Sequence, residues 1–127
     1  MSNGKGTSRP ISPHLTVWRW QLSAIMSILH RITGVAMAFG SMLIVWWFLS
    51  VARGGDAFEM VDGILTSWVG GLIMIGFLWA LWYHFCNGIR HLVWDAGFAF
   101  ELDNVEKSGV IVLAASAALT IFTLIAM

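Results

Sequence analysis

The sequence predicts an all-α membrane protein with three transmembrane helices. Three observations carry that prediction. Of 127 residues, 58% are hydrophobic and 11% charged, too little charge to cover the surface of a soluble domain of this size. Residues 32–52, 63–89 and 108–127 contain no Asp, Glu, Lys or Arg, and each stretch meets the roughly 20 apolar residues that a bilayer core demands. Three spans cannot close a barrel, so each must be a helix that satisfies its own backbone groups.

Residues 1–14 are polar, with Lys5, Arg9, Pro10 and Pro13, and they lack the compact apolar core of a signal peptide. They are also too short and too poor in arginine for a transit peptide, so the mature chain is expected to start near Met1. The first span is placed at residues 20–52, interrupted only by His30-Arg31. The stretch from Arg53 to Asp62, rich in glycine and acid, reads as a loop. The second span is placed at 63–94 and the third at 106–127, joined by a loop from Asp95 to Lys107. The first two exceed the minimum length, which implies tilt or extension into the headgroup zone. The third has no ionisable side chain between residues 108 and 127 and reads as scaffold.

With the N-terminus inside, Lys5, Arg9, Arg19, Arg90 and Lys107 all lie at the inner face, and only Arg53 lies outside. Trp18, Trp20 and Trp94 then fall at the inner interface, and Trp46, Trp47 and Trp68 at the outer one. Residues 1–19 form a cytoplasmic segment ahead of one transmembrane domain, 20–127. The formal net charge is zero, which gives no case for nucleic-acid binding. Cys86 is the single cysteine, so an internal disulfide, a covalent haem attachment and an iron–sulfur cluster held by this chain alone are excluded. Any haem here would be of the b type.

His84 stands deep in the second span, where an imidazole is costly unless it has a task. Gly88, His91 and Asp95 follow at offsets of four, seven and eleven, which places them on one narrow helical face with His84. An imidazole at depth can ligate iron, and a glycine removes a side chain where a flat macrocycle would press on the helix. A shallower His91, with Arg90 beside it in sequence, could meet haem propionates. The alternative is a buried histidine bonded to a neighbouring helix, with Gly88 serving helix packing and Asp95 a solvated loop residue. Ser27, Arg31 and Gly34 share a face of the first span at i, i+4 and i+7, with His30 turned about 100° from Arg31. A hydroxyl and a guanidinium on one face both donate hydrogen bonds, which suits the carbonyl oxygen of a quinone. The alternative is an Arg31 that snorkels to the inner headgroups. Because the two helices are antiparallel, His30, Arg31, His84 and His91 are expected at one depth. Met26, Met37, Met42, Met60 and Met74 read as lipid-facing or packing residues, and Gly70, Gly71 and Gly76, with Trp79, Trp82 and Tyr83, as packing residues, the last three with a pocket wall as the alternative.

Two motifs resemble a known family. One is Arg9-Pro10-Ile11-Ser12-Pro13-His14-Leu15, followed by Ser27-Ile28-Leu29-His30-Arg31-Ile32-Thr33-Gly34. The other runs from His84 through Gly88-Ile89-Arg90-His91-Leu92-Val93-Trp94-Asp95-Ala96-Gly97. Together they resemble the cytochrome b556 subunits of succinate dehydrogenase, large membrane anchors of respiratory complex II, over the whole length. The one visible departure is Trp18, where the family often has tyrosine. The resemblance implies a chain forming part of a hetero-oligomeric helical bundle. It implies His84 as an axial ligand of a haem b shared with a small anchor subunit, whose own histidine supplies the second ligand. It implies Ser27 and Arg31 at the ubiquinone site, and His30, Arg31 and His91 near the haem propionates. Residues up to Leu15 would pack against the iron–sulfur subunit. FAD and iron–sulfur clusters would reside in the flavoprotein and iron–sulfur subunits, since this chain has no site for either. The implied setting is the bacterial inner (cytoplasmic) membrane in preference to the mitochondrial one, with a cytoplasmic N-terminus and a periplasmic C-terminus. A fumarate reductase anchor and a non-redox helical membrane subunit are the competing readings.

Overall fold

The computed structural model describes His14 and residues 19–127. The expectations for the polar N-terminal segment and for Trp18 fall outside those residues. The described chain forms four helices: α1 (Leu22–Arg53), α2 (Gly55–Thr66), α3 (Trp68–Asp95) and α4 (Leu102–Ala126). Three of them, α1, α3 and α4, are long and apolar enough to cross a membrane. At 1.5 Å per residue, α1 is about 48 Å long and α3 about 42 Å, well beyond a hydrocarbon core of about 30 Å.

The stretch read as a loop between the first two spans is instead mostly the 12-residue helix α2. Its glycines and acids suggested a turn, but Val61 is buried at 1% exposure and α2 packs on both α1 and α3. Gly54 breaks α1 from α2 with φ +66° and ψ −171°, a conformation open essentially only to glycine. A second break sits at Ser67, so the second span starts at Trp68 and not at residue 63. Ser67 caps α3: its Oγ accepts from the Gly70 amide at 3.1 Å and donates to the Ile64 carbonyl at 2.7 Å. Gly70 is needed at this corner, because a Cβ there would run into the Ile64 and Leu65 carbonyls. Gly71 and Gly76, by contrast, face open space.

α3 ends in a Schellman motif. Gly97 adopts φ +88°, its amide donates to the Trp94 carbonyl at 2.8 Å, and the Phe98 amide reaches back to Val93 at 3.2 Å. The Asp95-Ala96-Gly97 end of the second motif is therefore a helix stop. α4 then begins at Leu102, four residues earlier than placed from sequence.

α3 lies between α1 and α4 and touches both. The core is small: Met26 of α1, Tyr83 of α3 and Val112 of α4, with Leu22, Leu29, Trp79, Cys86 and Leu113 around it. Most other large apolar side chains are exposed, as expected when lipid and other helices are the surroundings. α4 comes close to α1 at Gly109, where an added Cβ would stand 2.6 Å from Met26 Sδ and 3.2 Å from Leu22 Cδ2. Gly109→Val should thus loosen α4 by about 1–3 kcal/mol, the usual cost of overpacking. A lowered thermal midpoint of the purified complex would report this, and an unchanged one would refute the close contact.

Candidate functional site

The site lies where the first turns of α1 pass the last turns of α3, with the start of α4 behind them. His30 and His84 stack face to face, with ring centroids 3.8 Å apart and planes 10° from parallel. His91 lies 5.2 Å from His30 at a 53° tilt. Helical spacing alone placed His84 and His91 on one face, and both meet His30 from it. Among the described residues, no group of three or more His, Cys, Asp or Glu is arranged to hold a metal ion.

The proton position on His84 follows from its partners. Its Nδ1 lies 3.1 Å from the His30 carbonyl, which can only accept. Nδ1 must therefore carry the hydrogen. Thr33 Oγ1, 3.2 Å from the same nitrogen, is itself turned to the Leu29 carbonyl at 2.8 Å and the His30 carbonyl at 3.0 Å. Nε2 of His84 is left as a bare lone pair without a hydrogen-bond partner among the described residues. A metal-ligating histidine is normally set up this way, with one ring nitrogen held by a carbonyl and the other free to bind. Gly34 keeps α1 close enough for this, since a Cβ there would stand 3.1 Å from His84 Cε1.

The other residues singled out from sequence occupy distinct places. His30 has a buried Nδ1 with no hydrogen-bond partner. Gly88 faces open space, so a Cβ there would touch nothing among the described residues, and packing between these helices does not explain the glycine. Arg31 is exposed and Ser27 half-buried. Most hydroxyls in the spans bond back to a carbonyl one turn earlier, as at Thr33, Ser41, Ser50, Ser116, Thr120 and Thr123. Ser27 makes no such bond. Asp95 is the last residue of α3 and is exposed.

Family comparison agrees with the two motifs. Residues 5–123 match the family described as succinate dehydrogenase/fumarate reductase transmembrane subunit. The chain belongs to that family. Its relatives include the succinate dehydrogenase cytochrome b556 subunit of Paracoccus denitrificans, 45% identical over 93% of this chain and 91% of the relative. The subunit of the same name from Rickettsia prowazekii is 38% identical over 88% and 87%. The mitochondrial succinate dehydrogenase cytochrome b560 subunit of Sus scrofa is 40% identical over 85% of this chain and 65% of the relative.

Within this family member, the sequence reading missed one group of residues. Arg90 does not join His91 at the mouth of the site. It is 6% exposed and points back toward α4. Its Nε donates to Ser108 Oγ at 2.8 Å, Nη2 to the Val105 carbonyl at 2.7 Å, and Nη1 to Asn87 Oδ1 at 3.3 Å. The guanidinium also lies 4.1 Å from the Trp94 ring centroid. Tyr83 donates to the Met26 carbonyl at 2.9 Å and ties α3 to α1. A signal for this was present: Tyr83, Asn87 and Arg90 stand at i, i+4 and i+7, one residue offset from His84, Gly88 and His91. Trp82 is likewise a packing residue, with its indole N–H on Thr123 Oγ1 at 3.0 Å.

Proposed function

We propose that this chain is the large membrane anchor of a succinate:ubiquinone oxidoreductase. In this reading His84 gives one axial ligand to a haem b shared with a small anchor subunit, and Ser27 and Arg31 form part of the ubiquinone site. The observation that carries it is the Nδ1–H of His84 on the His30 carbonyl at 3.1 Å, which leaves Nε2 available for iron. The unpartnered Nδ1 of His30 and the open face at Gly88 fit a flat polar-edged group beside that nitrogen. Bound haem b would supply a one-electron carrier.

His30 lies flat on His84 at 3.8 Å, with no room for a flat group between the two rings, so the second haem ligand would come from a partner subunit. His30, Arg31 and His91 are assigned to the propionate side, where a guanidinium and ring N–H groups can donate to carboxylates. Gly88 is assigned to the macrocycle face, and Asp95 marks the rim of the site at the helix end.

Ubiquinone takes up two electrons and two protons to become ubiquinol. Ser27 and Arg31 both donate hydrogen bonds, so they can hold a quinone carbonyl and stabilise the negative charge that gathers on its oxygen. Succinate oxidation itself belongs to the flavin and iron–sulfur clusters of the soluble partners, so this chain acts only in the complex. The bias of Lys and Arg places the His30 end of the bundle, and hence quinone reduction, at the cytoplasmic face. The names of the relatives above favour succinate oxidation over fumarate reduction as the direction.

The test is an absorption spectrum of the purified complex before and after His84→Ala. The unsubstituted complex should show a b-type haem band, and the substitution should weaken or shift it. A band unaltered in size and position would overturn the assignment of His84.

A further inference from the structure

Asn87 and Arg90 have no part in the ligand and quinone roles above, yet they determine which nitrogen of His91 carries its proton. Arg90 has only donors. Its Nη1 faces Asn87 at 3.3 Å, so the atom it meets must be the amide oxygen. The amide nitrogen of Asn87 then faces His91 Nε2 at 3.4 Å. That nitrogen can only donate, so Nε2 must accept and the hydrogen of the neutral ring resides on Nδ1. The amide cannot turn over without setting its N–H groups against the guanidinium. Water offers no alternative partner, because Asn87 is 0% exposed. Arg90 is in turn anchored on α4 through Ser108 and the Val105 carbonyl.

We propose that Asn87, oriented by Arg90, is a positioning residue that locks His91 in the Nδ1–H tautomer. The chain thereby presents a fixed ring donor to a carboxylate at the edge of the haem pocket. The carboxylate rests on the haem reading given above, whereas the tautomer rests only on Asn87 and Arg90. His84 carries its hydrogen on the same ring nitrogen for a different reason, a backbone carbonyl. A donor fixed before its acceptor arrives costs no reorientation on binding.

The experiment uses the intact complex in lipid with 15N-labelled histidine rings, read by solid-state NMR, with the His91 signals assigned by difference from His91→Phe. The expected result is an unprotonated Nε2 and a protonated Nδ1. Asn87→Asp keeps an acceptor for Arg90 but offers Nε2 no donor, so Nε2 should become protonated. Asn87→Leu removes the donor without adding charge and should give a mixture of tautomers, which keeps the test available if the aspartate variant does not assemble. A protonated Nε2 in the unsubstituted complex overturns the proposal, as does an unchanged His91 in whichever variants assemble. The haem band of the same samples is a separate readout: its absence before substitution would sink the haem assignment and leave the tautomer result intact.

Discussion

Arg31→Ala is expected to cut ubiquinone reduction by the intact complex by a factor on the order of 10²–10³, the usual effect of removing a donor aimed at developing negative charge. Oxidation of succinate by a soluble artificial acceptor should continue at its normal rate, because the proposed function assigns that step to the soluble partners. The expectation rests on how Arg31 is placed. It lies roughly 14 Å along α1 from Leu22, at 1.5 Å per residue. It is exposed and has no hydrogen-bond partner among the described residues, while His30 beside it is turned inward onto His84. A guanidinium at such a position is costly unless a ligand, a lipid headgroup or another subunit answers it. Snorkelling to headgroups predicts a different outcome: quinone turnover within a few-fold of normal and a small loss of stability. Arg31→Lys separates the two further, since an ammonium snorkels as well as a guanidinium but lacks its planar fork.

Arg90→Ala should destabilise the membrane domain by about 2–4 kcal/mol, judged from the hydrogen bonds lost to a charged donor and the modest worth of each such bond inside a membrane. Its Nε and Nη2 bridge α3 to the start of α4 while Nη1 holds Asn87 within α3, and the substitution would strand the Asn87 amide oxygen in a buried place. Among the described residues no carboxylate pairs with Arg90. Its charge is held by neutral acceptors and the Trp94 ring. The thermal midpoint of the complex, followed by loss of quinone-linked activity on heating, is the measurement. A midpoint equal to that of the unsubstituted complex would show that the α3–α4 contact does not depend on the guanidinium. Arg90→Ala and Arg31→Ala should differ in kind, the first acting on stability and the second on turnover.

These two arginines show how far the sequence could be read. Arg31 was legible because its depth, its spacing from Ser27 and the apolar run around it are all local properties of one helix. Arg90 was misjudged because its neighbour His91 suggested a common task. One residue is a 100° turn on a helix, and that turn sends Arg90 to α4 while His91 stays with His30. The loop between the first two spans was misjudged for a related reason. Gly54, Gly55 and the acids near them signal a turn, and the packing of Val61 against the bundle is what turns most of that stretch into α2.

The class of the protein, its three spans, their antiparallel order and the common depth of His30, Arg31, His84 and His91 are all written in the amino-acid pattern. Hydropathy over about 20 residues and a 3.6-residue period settle these without long-range information. Where the protons sit depends instead on how the helices pack. The His84 hydrogen is fixed by a carbonyl on another helix, and that of His91 by the Asn87 amide, which Arg90 orients while itself anchored on α4. A tautomer is chosen by the partners an imidazole meets in space: a helical pattern can list Asn87 and Arg90, but only packing against α1 and α4 fixes how they are turned.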